Sequence, residues 1–332
     1  MNLLLTGGTG YIGSHAAVVM AEAGHSVVLF DNLSNSKPDV VQRIEKITGK
    51  SIPLVEGDVR DTALLEKTLR DFKIDAVIHF AGLKAVAESV QNPIEYYANN
   101  VQGSISLLQA MRASNVKTIV FSSSATVYGE PKYLPYDEEH PTNPINPYGR
   151  TKLQIEQILR DLSESDPAWK VAVLRYFNPV GAHESGLIGE DPKGTPNNLM
   201  PILNKVASGE LKYLEIYGHD YPTADGTAER DYIHVMDLVE GHLDAINYIK
   251  GNLGFYVFNL GTGFSVSVLS LINVFERVTG KVINFKVVSR RKGDLPIFFS
   301  NPYKAEKKLS WTAKRNLNSM CLSSFFKAQK ND

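Results

Sequence analysis

The feature that most constrains this chain is a glycine-rich loop between a short apolar run and a helix-like segment. The run Leu3–Thr6 is followed by Gly-Gly-Thr-Gly-Tyr-Ile-Gly, which holds a G-x-G-x-x-G pattern at Gly8, Gly10 and Gly13. Such glycines let the backbone approach a pyrophosphate, and the helix that follows offers unpaired N–H groups to the anion. The order strand, loop, helix therefore predicts a dinucleotide-binding βαβ unit.

A carboxylate stands where this unit needs one. The next apolar run, Ser26–Phe30, ends at Asp31, about 20 residues after the glycines, where a carboxylate accepts hydrogen bonds from an adenosine ribose. It would repel a 2′-phosphate, and no arginine follows it in residues 32–36. The pattern therefore favours NAD over NADP. Asp58, near the end of the segment Leu54–Val59, is a candidate ligand of the adenine end.

The first half of the chain alternates between buried strands and amphipathic helices. The predicted strands are Leu3–Thr6, Ser26–Phe30, Ala76–Phe80, Thr118–Ser122 and Val171–Tyr176. The predicted helices are Gly13–Ala23, Ala63–Phe72, Asn100–Ala113 and Thr151–Leu162. This alternation predicts an α/β fold with a doubly wound parallel sheet, in which residues 1–178 form a Rossmann domain.

The sequence pattern changes after Asn178, where Gly, Pro, Asn and Asp interrupt shorter predicted helices and strands, as in residues 189–198. We expect residues 179–332 to form mainly a smaller α/β substrate-binding lobe, with residues 230–262 returning to the first domain. Since no Pro/Ser-rich linker separates the two, they should pack together around a ligand cleft.

Composition excludes several classes of function. The 332 residues hold 35 Lys plus Arg against 36 Asp plus Glu, so no general basic field argues for nucleic acid or a membrane surface. The lone Cys321 cannot form an intramolecular disulfide, and the eight histidines lack the spacing of metal ligands. Without a signal-peptide pattern or an apolar stretch of about 18 residues, a cytoplasmic protein is expected.

A serine, a tyrosine and a lysine are the candidate catalytic groups. Asn146 suits a helix N-cap and Pro147 the first helical position, which places Tyr148 and Lys152 one turn apart on one helix face. We expect the ammonium to lower the pKa of the phenol, making it a usable general base. Ser124, at the end of a predicted strand, is the candidate hydroxyl for the reacting oxygen.

Six segments in order along the chain add a family resemblance. They are Thr6–His15, His79–Val86, Ser122–Gly129, Arg175–Ala182, Pro196–Pro201 and Arg230–Leu238. Together they resemble the extended short-chain dehydrogenase/reductase enzymes, and within them the epimerases that act at C4 of UDP-hexoses, over about residues 2–311. The resemblance implies that Tyr148 is the base, that Lys152 tunes it and holds the nicotinamide ribose, and that Ser124 is the hydroxyl partner.

The resemblance also implies an activity, the NAD-dependent interconversion of UDP-galactose and UDP-glucose through a 4-keto sugar that turns over before hydride returns. The cofactor-binding residues it implies are Gly7, Gly10, Tyr11, Ile12, Gly13, Asp31, Asn32, Asn35, Ser36, Asp58, Val59, Phe80, Ala81, Gly82, Lys84, Asn99, Ser122, Tyr148, Lys152 and Tyr176. The substrate-binding residues are Ser124, Tyr148, Phe177, Asn178, Asn198, Leu199, Tyr217, Arg230, Tyr232, Arg291, Asp294 and Phe298. Arg230 and Arg291 would bind the diphosphate and Asp294 the uridine ribose.

Three further expectations come from the resemblance. A bulky Phe298 predicts discrimination against UDP-GlcNAc. A homodimer should form through the helix pair 100–113 and 151–162. The family's tryptophan-rich final helix is missing, and Leu322, Phe325 and Phe326 would replace its packing only in part.

The alternatives are a nucleotide-sugar 4,6-dehydratase, a UDP-GlcNAc 4-epimerase and a non-catalytic NAD-binding regulator. A dehydratase would need an Asp-Glu pair where this chain has Ala125 and Thr126. The presence of Ser124, Tyr148 and Lys152 argues against the regulator.

Overall fold

A computed structural model describes residues 1–193, 196, 198–291 and 293–329. The strands are β1 (Asn2–Thr6), β2 (Ser26–Asp31), β3 (Leu54–Glu56), β4 (Ala76–His79), β5 (Thr118–Ser122), β6 (Lys170–Tyr176), β7 (Asn178–Val180), β8 (Leu214–Tyr217), β9 (Glu229–Arg230), β10 (Tyr232–His234), β11 (Gly254–Leu260), β12 (Val266–Ser267), β13 (Phe285–Val288) and β14 (Ile297–Phe298).

The α-helices are α1 (Tyr11–Glu22), α2 (Asp39–Thr48), α3 (Thr62–Asp71), α4 (Val86–Gln91), α5 (Pro93–Tyr96), α6 (Gly103–Ala113), α7 (Pro147–Ser165), α8 (Leu199–Ala207), α9 (Val235–Gly251), α10 (Val268–Thr279), α11 (Tyr303–Leu309) and α12 (Leu317–Gln329). A π-helix covers Tyr97–Gln102 and a 3₁₀-helix covers Ala125–Val127. No helix in the described part of the chain combines the length and hydropathy that a membrane span requires.

Seven parallel strands form the central sheet, in the order β11-β6-β5-β4-β1-β2-β3. This confirms the predicted doubly wound parallel sheet. Strand β1 lies between β2 and β4, so the chain leaves β1 toward one edge of the sheet and later returns to the other side. Such a switch point opens a crevice at the carboxyl ends of the strands, where α/β proteins bind ligands.

Both faces of the sheet are covered by helices. Successive side chains of a strand point to opposite faces, and β1 shows the consequence. Leu3 and Leu5 share one apolar core with Leu238 of α9, whereas Leu4 shares the other with Leu107 of α6. All five leucines are buried, so side chains on both faces of the sheet are covered. This explains why its strands are apolar runs rather than alternating patterns.

A third core is formed by α8, α10, α12 and β8, and β13 pairs in parallel with β8. Near it, β7 pairs with β10, and β9 pairs with β12 and β14. The last helix, α12, contributes buried Met320 and Cys321 and packs Phe325 on Phe275 at 5.8 Å between ring centroids. Leu322 is 50 % exposed and Phe326 is 44 % exposed. The packing expected to replace the family's tryptophan-rich final helix therefore comes mainly from other residues of α12 than these two.

Candidate active site

The glycine loop between β1 and α1 lies at the switch point of the sheet. Gly7 has φ +67°, and a Cβ there would lie 2.7 Å from the backbone nitrogen of Ala81. A Cβ on Gly13 would lie 2.2 Å from the carbonyl oxygen of Gly7. Gly10 is the N-cap of α1 and brings no side chain to its N–H groups. The loop is thus a backbone cradle of the kind that receives a diphosphate.

Asp31 ends β2 beside this cradle and is 9 % exposed. Its Oδ2 accepts a hydrogen bond from the backbone N–H of Thr9 at 3.1 Å, and its Oδ1 accepts one from Leu33 at 2.9 Å. The hydroxyls of Thr9 and Ser36 lie 2.6 Å apart next to it. The carboxylate is therefore held in a fixed position at the edge of the crevice.

Asp58 and Asn32 also meet, since the Asn32 amide donates to Asp58 Oδ2 at 3.3 Å. Arg60, which the sequence analysis did not single out, binds both Asp58 oxygens at 2.9 and 2.8 Å and holds the pKa of that carboxyl at about 2. Val59, between Asp58 and Arg60 in the sequence, is buried against Gly103. A Cβ at position 103 would lie 2.7 Å from the Val59 side chain, so only glycine fits there.

Tyr148 and Lys152 stand in the first turns of α7, and the predicted start of this helix is confirmed. The Asn146 side chain accepts a hydrogen bond from Gly149 N–H at 2.8 Å, and Pro147 is the first helical residue. Tyr148 is 7 % exposed and Lys152 is 4 % exposed. The Lys152 Nζ donates to the carbonyl of Ser122 at 2.8 Å and lies 5.9 Å from the centre of the Tyr148 ring.

The prediction of a Tyr148 pKa below its usual value is wrong, because burial outweighs any effect of the Lys152 charge. Burial raises the pKa of Tyr148 to about 12, and the nearby hydroxyl of Ser124 opposes the rise. Burial lowers the pKa of Lys152 to about 8, and the carboxylate of Glu156 opposes that fall. Burial dominates because the ammonium bonds the Ser122 carbonyl instead of the phenol oxygen.

Ser124 follows β5 and caps the short 3₁₀-helix, accepting from the N–H of Thr126 at 3.2 Å. Ser122 Oγ and His242 Nε2 of α9 share a hydrogen bond of 2.7 Å. Burial lowers the pKa of His242 to about 4 and raises that of Tyr176 well above its usual range. His242 and Tyr176 are therefore both neutral near pH 7.

Asn99 lies in the π-helix 97–102, a feature common at functional sites and invisible in the hydrophobic pattern. Its neighbour Asn100 was missed, although its amide joins two parts of the site. The Asn100 side chain accepts from Leu83 N–H at 2.8 Å and donates to Thr151 Oγ1 at 3.1 Å. It thereby ties the loop after β4, which holds Phe80–Gly82, to the catalytic helix.

The residues expected at the nucleotide end come together in the structure. Arg291 lies 4.3 Å from the Tyr217 ring centre and bonds Asp294 at 3.0 Å. Arg230 lies 3.6 Å from the other oxygen of Asp294 and donates to the Leu295 carbonyl at 2.8 Å. Two guanidinium groups and one carboxylate thus share a site. The guanidinium groups suit the oxygens of a diphosphate, and the carboxylate can accept a hydrogen bond from a hydroxyl group beside it.

An aromatic cluster adjoins this site. Phe298 lies 5.1 Å from Phe177 and 4.9 Å from Tyr136 between ring centroids, and the sequence analysis missed Tyr136. Phe298 pairs with Arg230 across β14 and β9, which joins the aromatic cluster to the Arg230, Arg291 and Asp294 group. Tyr232 and Asn178 are register partners between β10 and β7.

Lys84 and Asn198 meet at a residue that the sequence analysis also missed. Both bind the same oxygen of Glu190, at 3.0 and 2.6 Å, and that side chain is 9 % exposed. Asn35 accepts from the backbone N–H of Lys193 at 3.2 Å in the same loop. Residues 194, 195 and 197 of the Gly/Pro-rich stretch lie outside the described residues.

Three more of the predicted residues lie at the starts of helices. Tyr11 and Ile12 open α1, and the Tyr11 hydroxyl donates to the Gly181 carbonyl at 2.7 Å. Leu199 is the first residue of α8. Across the described residues, no group of three or more His, Cys, Asp or Glu side chains could hold a metal ion.

Comparison with known proteins decides the family. The sequence profile of the NAD dependent epimerase/dehydratase family matches residues 3–261. The chain belongs to this family. It therefore uses NAD, as the glycine loop and Asp31 predicted, and the resemblance noted in its six segments is confirmed.

Individual relatives are similar over almost their whole length. The UDP-glucose 4-epimerase of Bacillus subtilis is 51 % identical over 325 residues, which are 98 % of this chain and 96 % of that protein. The UDP-glucose 4-epimerase of Homo sapiens is 49 % identical over 326 residues, 96 % of this chain and 94 % of that protein. The crystal structure of UDP-glucose 4-epimerase from Bifidobacterium longum, in complex with NAD⁺ and UDP, is 51 % identical with TM-score 0.97, covering 100 % of this chain and 99 % of that one.

Proposed function

We propose that this protein interconverts UDP-galactose and UDP-glucose, using an NAD that stays bound through turnover. The observation that carries the proposal is the convergence of Tyr148, Lys152 and Ser124 at the end of β5, buried next to a glycine cradle for the cofactor. Relatives about half identical over their whole length are named UDP-glucose 4-epimerase, which supports the choice of substrate.

NAD fits the residues present. The cradle at Gly7, Gly10 and Gly13 has no room for a side chain at its closest approaches, which leaves backbone N–H groups to face a diphosphate. Asp31 at the end of β2 receives the adenosine ribose, and Lys152 holds the nicotinamide ribose. When bound, NAD supplies a hydride acceptor for C4 of the sugar and the donor for its return.

Residues 1–178 with 230–262 form the cofactor domain, and 179–332 mainly the nucleotide-sugar lobe.

Tyr148 takes the proton from the sugar 4-hydroxyl as C4 is oxidised, and returns it on re-reduction. With the Tyr148 pKa at about 12, the phenolate is a minor species at neutral pH and needs positive charge nearby. Lys152, whose pKa is about 8, is mostly protonated at pH 7 and supplies that charge. Ser124 donates a hydrogen bond to the same sugar oxygen.

The nucleotide end explains how the sugar can turn. Arg230 and Arg291 bind the diphosphate and Asp294 the uridine ribose, so the substrate is anchored away from the reacting carbon. The 4-keto sugar then presents its other face without leaving the site. Phe298, packed against Phe177 and Tyr136, limits the space beside the sugar and disfavours N-acetylated substrates.

The test is to incubate the purified protein with UDP-galactose, without added NAD, and follow UDP-glucose with a coupled dehydrogenase. Conversion supports both the activity and the retained cofactor. No conversion even with added NAD refutes the proposal, and release of a 6-deoxy-4-keto sugar would instead support the dehydratase. The homodimer and the cytoplasmic location stay predictions.

A further inference from the structure

Glu156 of α7 and Arg175 of β6 form a buried ion pair. The Arg175 guanidinium bonds both oxygens of Glu156, with contacts of 3.1, 3.2 and 2.6 Å. Their side chains are 4 % and 6 % exposed. A buried ion pair is weak evidence for stability, because removal of two charges from water offsets most of their attraction. Its presence here calls for a role in the site.

The pair is placed against the strand end that carries the reacting groups. Ser123, fully buried, donates its hydroxyl to Glu156 Oε1 at 2.5 Å. Ser123 stands between Ser122, whose carbonyl receives the Lys152 ammonium, and Ser124, which faces Tyr148. Through the Ser123 hydroxyl, Glu156 therefore holds the segment that carries the Ser122 carbonyl, which bonds Lys152, and the Ser124 hydroxyl, which faces Tyr148.

Glu156 also lies one helical turn beyond Lys152 on the same face of α7. The groups facing Lys152 include the Tyr148 ring and Glu156 on its own helix. From β5 come the Ser122 carbonyl at 2.8 Å and the Phe121 ring at 4.8 Å, and from β4 comes His79. Burial lowers the pKa of His79 to about 3, and that of Tyr148 is about 12, so both are neutral near pH 7. Glu156 is the carboxylate among these groups, and its charge opposes the lowering of the Lys152 pKa by burial.

We propose that Glu156 is a positioning residue for the reaction: held by Arg175 and Ser123, it keeps Lys152 charged at the end of β5. This inference rests on the proposed function, since it assigns Glu156 a part in supporting the lysine that assists Tyr148. Glu156 itself touches neither sugar nor cofactor. Its effect on the reaction passes through Lys152.

The test compares Glu156→Gln with Glu156→Asp and Ser123→Ala across pH 6–10. Two quantities are measured: turnover of UDP-galactose, and affinity for NAD by equilibrium dialysis without any UDP-sugar. Loss of the carboxylate should move the alkaline fall of both profiles lower by about one pH unit, a roughly tenfold weaker hold on the Lys152 proton. Glu156→Asp and Ser123→Ala keep the charge, so their alkaline limbs should stay where the unaltered protein has them.

Unmoved alkaline limbs in Glu156→Gln, with only lower amplitude or melting temperature, would overturn the inference and leave the pair a purely structural one. If that variant does not fold, because Arg175 is left buried and unpaired, Glu156→Gln with Arg175→Gln replaces it and should move the limbs in the same direction. Absence of turnover in the unaltered protein would count against the proposed function alone, because the NAD profile still decides the role of Glu156.

Discussion

The closest backbone approach in the cofactor loop is at Gly13, and it makes a sharp prediction for Gly13→Ala. A Cβ there would lie 2.2 Å from the Gly7 carbonyl oxygen and 2.8 Å from the Gly8 Cα. Both neighbours are backbone atoms, which cannot rotate away, so the loop must shift. Overpacking of this kind costs about 1–3 kcal/mol, which lowers the melting temperature by roughly 1–4 °C in a protein of 332 residues. The shifted cradle should also retain less NAD.

Gly251→Ala is the matched control. Gly251 ends α9, and a Cβ there would meet nothing within 4 Å. Alanine favours a helix over glycine by up to about 1 kcal/mol, so this variant should melt at the same temperature or higher and keep its NAD. Both variants are compared by thermal denaturation, with and without added NAD, and by the NAD released on denaturation. If Gly13→Ala matches Gly251→Ala in both measurements, the argument for a backbone cradle is refuted.

Three further predictions concern the chemistry. Tyr148→Phe should lower kcat by about 10²- to 10⁴-fold with bound NAD unchanged. Because the Tyr148 pKa is about 12, its phenolate fraction grows about tenfold per pH unit near neutrality, and the variant should lose the matching rise of kcat with pH; a retained rise would exclude Tyr148 as the base. Arg291→Lys should raise KM for UDP-galactose by roughly 10- to 100-fold with a smaller change in kcat, as measured by steady-state kinetics. Phe298→Ala should raise turnover of UDP-GlcNAc relative to UDP-galactose by about tenfold, and an unchanged ratio would mean that Phe298 serves packing only.

Local rules predicted the cofactor half of the molecule well. The strands β1, β2, β4, β5 and β6 are apolar runs bounded by turn residues, and their predicted limits agree with the structure within one or two residues. The start of α7 was predictable because Asn146 and Pro147 are unambiguous capping signals. The edge strand β11 was not identified as such, since it joins β6 only after a long excursion of the chain.

The site was predicted less completely, for physical reasons. The pKa of Tyr148 depends on burial and on where the Lys152 ammonium is bonded, and helical spacing alone shows neither. Asn100 and Glu190 act through contacts with residues distant in sequence, so no local pattern marks them. The nucleotide-end residues were reached through the family resemblance, because no spacing rule would bring Arg230 beside Asp294.

The measurement that most directly tests the central claim follows the hydrogen at C4. UDP-galactose carrying deuterium at C4 is incubated with the purified protein in ordinary water, and the UDP-glucose formed is analysed by NMR and mass spectrometry. Hydride transfer to and from a bound NAD predicts that the product keeps the deuterium at C4. Product without deuterium would contradict this account, since it would mean exchange with water through removal of the C4 hydrogen as a proton.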